Sequence, residues 1–273
     1  MPTYEYEIAA LVAAYKDAVG RIKRELERLD LAGLSRANAE IALAEIARIL
    51  ASLNEESAAW VAANIPAAAR GGIVNTLIAL GVAETAEQAQ ALVKFNRMNA
   101  NMVAAAIADT QADLLAVTQN VDRRVRSAVR QAVADSMRAN MAAGINGRRT
   151  ISRDILTEMR RSLGSAVETG IIDAAGRRWR PEVYVDMVTR TKMAATYNEA
   201  TTNEAIQRGA FYAVISRHNA TDACTKWEGR IIRLTAEAPG DYPTYSEAKA
   251  TGEIWHPNCR HTYIPARRPD RLT

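Results

Sequence analysis

Three side chains suited to binding a metal ion fall within six residues near the end of the sequence, in His256-Pro257-Asn258-Cys259-Arg260-His261. A fourth, Cys224, lies 35 residues before Cys259 and just ahead of Gly229, where a turn would bring the chain back. Three close ligands plus one returned by a hairpin suit tetrahedral Zn²⁺, whose preferred donors are thiolate and imidazole. A tail with few large apolar residues would gain stability from such an ion. His218 could stand in for either imidazole, and the spacing differs from the zinc-finger pattern of two well-separated close pairs. The same residues also permit a Cys224–Cys259 disulfide, which a reducing compartment disfavours, or a hydrogen-bonded polar cluster around an inert buried thiol. A catalytic ion would need an open coordination position and a general base, for which Asp222 and Glu253 are the candidates. That reading would make the chain a zinc-dependent nuclease or hydrolase. No Ser nucleophile elbow, P-loop, dinucleotide fingerprint or His-Glu-x-x-His occurs.

The elements that must position these residues are mostly helical. Alanine and arginine are abundant and aromatic residues make up 5% of the 273, a composition that favours helix over sheet. Ile8, Leu11, Tyr15, Ile22 and Leu26 recur at helical spacing, so a first helix is predicted from Glu5 to Asp30, with Gly33 as its stop. Ser35 caps a second helix to about Leu53, and shorter pieces follow near 58–64 and 72–80, divided by Pro66 and Gly71-Gly72. Between Gly81 and Gly144 lie 62 residues without Gly or Pro, enough for one helix of roughly 90 Å or two in line. Asn96, Asn99, Asn101 and Asn120 are the natural places for a break. Pro181 starts a helix that Gly209 ends near Gln207. Phe211–Ile215 reads as a strand, and residues 224–232 read as a turn near Gly229 between short strands. The expectation is a mainly α fold. It has an elongated helical body over 1–178, with room for a break near 81–120. A small α+β, zinc-knuckle-like module follows over 179–273, made of a lead helix at 181–208 and a compact tail at 210–265.

Charge is distributed as unevenly as the metal-binding residue types. The net charge of +4 divides into −4 over residues 1–120 (10 cations, 14 anions), +6 over 121–190 (14 and 8) and +2 over 191–273 (11 and 9). All 14 cations of the middle segment are arginines. Val121, Val125, Ala128 and Ala132 project to one helix face, with Arg123, Arg126 and Arg130 opposite, and Arg148, Arg149 and Arg153 follow closely. This is either a solvated face of a packed helix or a surface for phosphates or acidic partners. In the second case it would give sequence-independent DNA binding, because no aromatic residue interleaves with the arginines between 121 and 178. No apolar stretch reaches the roughly 18 residues needed to span a bilayer, and the first residues lack the pattern of a secretory signal. The chain is therefore expected to fold in a cytoplasm-like compartment.

Several segments of the tail, in order, resemble the minor capsid or head morphogenesis proteins of tailed phages, the minor capsid protein 2 and Mu-F-like group. They are Tyr184–Thr191 leading into Ala195-Thr196-Tyr197-Asn198, then Ser216-Arg217-His218, then Asp222–Arg230, and finally Gly252–His261, the most specific of them. The resemblance covers about residues 180–265. Mu-F-like members often carry a second cysteine where this chain has Trp227, so a four-cysteine site does not carry over. In the minor capsid protein 2 branch a Trp there and a terminal His are usual, and the position of Cys224 is often His. Exchange of Cys for His suits a metal site and not a disulfide. The resemblance implies a non-enzymatic minor head protein near the portal vertex, assisting assembly, DNA packaging or release. Its implied partners are the portal protein, the major capsid protein or packaged DNA, with no membrane. The implied setting is the virion, assembled in the host cytoplasm with several copies per particle, and the Cys/His exchange favours the structural zinc that the residues themselves suggest at Cys224, His256, Cys259 and His261.

Overall fold

The computed structural model describes residues 4–146, 152–173 and 175–269. Among these, seven α-helices carry most of the chain, and five strands of two to four residues all lie beyond residue 170. The expected class, mainly α with a small C-terminal region of strands, is the one observed. No helix among the described residues is long and apolar enough to cross a membrane.

Helix α1 (Glu5–Glu27) buries Ile8, Leu11, Tyr15, Ala18, Ile22 and Leu26, the stripe set by their spacing. Ser35 Oγ accepts from Asn38 N and caps α2 (Arg36–Ala79). Here the sequence misleads, because α2 continues through Leu53, Pro66 and Gly71-Gly72. Val61, Ile65, Ile73 and Leu77 are at most 1% exposed. Burying each stabilises by about 1.5–3 kcal/mol, so together they exceed the roughly 3 kcal/mol cost of a proline inside a helix. The glycines answer a different need. A Cβ on Gly72 would lie 2.2 Å from the carbonyl oxygen of Tyr197, so only glycine allows that contact.

Gly81, with φ of 67°, follows the end of α2, and the short α3 (Ala86–Leu92) is capped by Thr85. The uninterrupted stretch after Gly81 therefore holds a short helix and a long one. α4 (Arg97–Asn146) starts at the asparagine cluster, where Asn96 Oδ1 accepts from Asn99 N at 2.7 Å. Asn120 does not break it; its side-chain amide donates to the carbonyls of Thr169 and Gly170. Helix α5 (Arg153–Glu168), capped by Ser152, leads into a hairpin of β1 (Ile171–Ile172) and β2 (Arg178–Trp179) that the sequence reading lacked. α6 (Pro181–Gln207) begins at its proline, and Gly209, at φ 68°, follows its end.

The remaining elements form the site's frame. β3 (Tyr212–Ile215) is central in an antiparallel sheet, flanked by β4 (Ile231–Arg233) and β5 (Tyr263–Ala266), and α7 (Tyr245–Ala250) starts with a Thr244/Glu247 capping box. Residues 223–227 form a 3-10 turn, where a strand had been expected, because Asp222 Oδ1 accepts from Cys224 N and turns the chain.

Two compact units are distinguished. One comprises Ile8–Ala59 and Gln111–Asp186, and the other Met1–Glu7, Trp60–Thr110 and Met187–Thr273. In the first, Tyr15 is buried between α1, α2 and α4, with its hydroxyl joined to Ser57 and to the Leu114 carbonyl. In the second, Ala213, Ile215, Trp227, Ile232, Ile254 and Tyr263 form a core under the sheet, which also contains both cysteines.

Candidate metal centre

The sheet register brings the two ligand-bearing segments together. Val214 pairs with Ile231 and Ile215 with Tyr263, so the connection from β3 to β4 and the residues preceding β5 leave the same end of the sheet. Ser216 N donates to the Thr262 carbonyl and Gly229 N to that of Ile215, which fastens both segments there. Gly229 has a φ of 75° with the Arg217 guanidinium packed against its Cα, a conformation and a clearance that favour glycine.

The local sequence then sets the ligand spacing. His256-Pro257-Asn258-Cys259 closes a turn through Cys259 N donating to the His256 carbonyl at 2.9 Å. Pro257 supplies the fixed φ of its second position, and Asn258, at φ 67°, the left-handed third. This turn holds His256 and Cys259 at its two ends. Across from it the 3-10 turn presents Cys224, whose Sγ lies 3.0 Å from His256 Nε2 and 3.6 Å from Cys259 Sγ. Those three donor atoms lie within 4.8 Å of one another. His261 meets the group through Cys259, with its Nδ1 3.4 Å from Cys259 Sγ.

The 3.6 Å sulfur–sulfur and 3.4 Å Cys259–His261 separations suit a tetrahedral ion, and the 3.0 Å Cys224–His256 separation is shorter than such an ion would set. Bonds of about 2.3 Å to sulfur and 2.0–2.1 Å to nitrogen place neighbouring donors about 3.5–3.8 Å apart. Further contacts orient the donors. Trp255 N donates to Cys259 Sγ at 3.2 Å, and the Pro257 carbonyl, 2.9 Å from His256 Nδ1, can accept from that nitrogen and leave Nε2 facing the sulfurs. Both cysteines are buried and unbonded to each other, so the sulfurs are not in a disulfide. Burial, then the neighbouring Cys259 thiol, pushes the Cys224 thiol well above its usual range. A divalent cation held there would have to displace the thiol proton.

The carboxylates divide by role. Glu253 is engaged by Lys226 and by Trp227 Nε1 at 3.1 Å, and Lys226 first, then Trp227, hold its carboxyl below the usual range. Asp222 caps Cys224, and its other oxygen lies 3.4 Å from His256 Nε2. A third carboxylate, Glu228, was missed in the sequence. Its Oε1 accepts from the backbone of His218 and Ala220, and these bonds first, then His261, hold its carboxyl at about 2. His218, Glu228 and His261 are a second set of mutually close donors, in which the His218 ring packs against that of His261. Burial, then the His218 ring beside it, lowers the His261 pKa. The signal that could have pointed to Glu228 was its place between Trp227 and Gly229 in the recognised segment.

The arginines of the basic stretch are distributed over α4 and α5. Arg123 and Arg130 are exposed, Arg126 is half-buried and held by both oxygens of Asp122, and Arg153 is exposed in the first turn of α5. Arg148 and Arg149 lie outside the described residues. Arg161 pairs with Glu158, Arg177 with Asp173 and Arg180 with Glu182, so several of the segment's arginines have an acidic partner in the same stretch, and the net excess of +6 is carried by the others.

A search of curated proteins and one of solved structures found no significant match. The family model for phage minor capsid protein 2 matches residues 36–266, a span that takes in parts of both compact units and the whole ligand cluster. The chain therefore belongs to the phage minor capsid protein 2 family and is a structural protein of the phage head.

Proposed function

We propose that this head protein acts near the portal vertex, assisting head assembly, DNA packaging or DNA release, and that a structural zinc ion pins its C-terminal module. The observation that carries the zinc reading is the donor set at the end of the sheet, where Cys224 Sγ, His256 Nε2 and Cys259 Sγ lie within 4.8 Å and His261 Nδ1 is 3.4 Å from Cys259 Sγ. When bound there, zinc supplies a cross-link between two loops that are 35 residues apart at their cysteines. The chain's own residues do the rest: the His256–Cys259 turn sets the spacing, Trp255 N orients Cys259, and Asp222 shapes the turn carrying Cys224.

Elemental analysis of the purified full chain tests this reading. One zinc per chain is expected, with loss of the metal in Cys224→Ser and Cys259→Ser. No stoichiometric metal, together with unchanged melting of Cys224→Ser, would remove the pinned module.

A second reading, sequence-independent DNA contact, is favoured by the exposure of Arg123 and Arg130 on one helix. It concerns the other compact unit and does not depend on the metal.

A further inference from the structure

The contacts of Glu228 extend the zinc reading and rest on it. A histidine that binds metal through one ring nitrogen usually donates its other N–H to a carboxylate or carbonyl, which fixes the ring's tautomer and orientation. The two ring nitrogens of His261 face different partners, a sulfur of the donor set and a carboxylate. Its Nδ1 lies 3.4 Å from Cys259 Sγ, and on the opposite side of the ring its Nε2 lies 3.3 Å from Glu228 Oε1. The His261 side chain is fully buried and that of Glu228 is 11% exposed, so solvent competes little for the bond. Glu228 is itself fixed by the backbone N–H groups of His218 and Ala220, at 2.9 and 3.0 Å.

We propose that Glu228 is a positioning residue for the metal centre: it holds the proton of His261 on Nε2 and so turns Nδ1 toward the ion. The Oε1 atom is committed to this role. That oxygen already receives two backbone donors and the imidazole, which leaves it little capacity for a cation. His218 stacks beside His261, with ring centroids 4.0 Å apart, and is exposed, so it contributes less to holding the ring than Glu228 does.

The test uses the full-length protein loaded with zinc. Nitrogen-15 spectra of labelled histidine should show His261 with a metal-shifted Nδ1 and its proton on Nε2; a proton on Nδ1 would overturn the assignment without any variant. Glu228→Gln keeps the size and a carbonyl acceptor but loses the charge. It should still bind one zinc, with affinity about 10–100-fold weaker in competition with a chromophoric chelator. His218→Ala should keep wild-type stoichiometry and affinity. Equal affinity in Glu228→Gln and wild type would overturn the positioning role, as would a second zinc per chain that His218→Ala removes. A wild-type chain that takes up no zinc would overturn the parent reading and this assignment together, so the two failures are distinguishable.

Discussion

At the scale of single residues, the strongest contribution comes from four side chains and the turn that holds two of them. Cys224, His256, Cys259 and His261 stood out in the sequence because thiols and imidazoles occur nowhere before residue 217; the fold gathers Cys224, His256 and Cys259, and His261 borders them through Cys259 while grouping with His218 and Glu228. What spacing could not show was which partner faces which. His218 pairs with Glu228 and His261 because loop 216–222 returns over the sheet's end, a placement that depends on strand register and not on separation along the chain. Removing the metal with a chelator, or replacing Cys259 by Ser, should lower the melting temperature by roughly 10 °C, the effect of about 3–5 kcal/mol in a chain of this size. Differential scanning calorimetry with and without added zinc checks this; overlapping curves would deny the ion any structural role.

At the scale of elements, the helices were legible where periodicity and caps agreed. α1 and α6 lie close to their predicted bounds, with Pro181 opening α6 as expected. The reading failed in α2, because Pro66 and Gly71-Gly72 are local signals and the burial that overrides them is tertiary. Gly72→Ala should therefore destabilise by about 1–3 kcal/mol or more, since its Cβ would meet the Tyr197 carbonyl oxygen at 2.2 Å. Gly164→Ala, inside α5 with nothing within 4 Å of the new Cβ, should stabilise by about 0.4–1 kcal/mol. Urea denaturation of the two variants gives opposite shifts if these helix contacts are right.

The β1–β2 hairpin was invisible because its strands have two residues each and its stability lies in side-chain bonds. Asp173 accepts from Ala175 N, Arg177 N, Arg177 Nε and Trp179 Nε1. The Trp179 indole first, then Arg177, lowers its pKa from the usual 3.8 to about 2. A folded-state value below the unfolded one means stabilisation that is present above about pH 4 and lost as pH falls toward 2. Wild type should exceed Asp173→Asn in stability at pH 5, and the difference should vanish near pH 2; a constant difference across that range would contradict the bonding scheme.

For the whole molecule, charge and family membership bear on what the protein meets in the particle. The basic middle segment looked uniform in the sequence, but Arg126 is held by Asp122 while Arg123 and Arg130 face solvent. Replacing Arg123 and Arg130 by Glu should weaken sequence-independent DNA binding and reduce its salt dependence by about one slope unit per arginine. Reversing Arg126 alone should do less, because the pair with Asp122 already offsets its charge. Titration of labelled duplex DNA at several salt concentrations separates the two; indifference to the double reversal would take this face out of DNA contact. The central claim concerns place. An asymmetric reconstruction of the assembled phage particle, with the chain identified by a C-terminal tag, tests it most directly. Density for a few copies at the portal vertex is the predicted result, and distribution over the whole shell, or absence from the particle, would contradict the account.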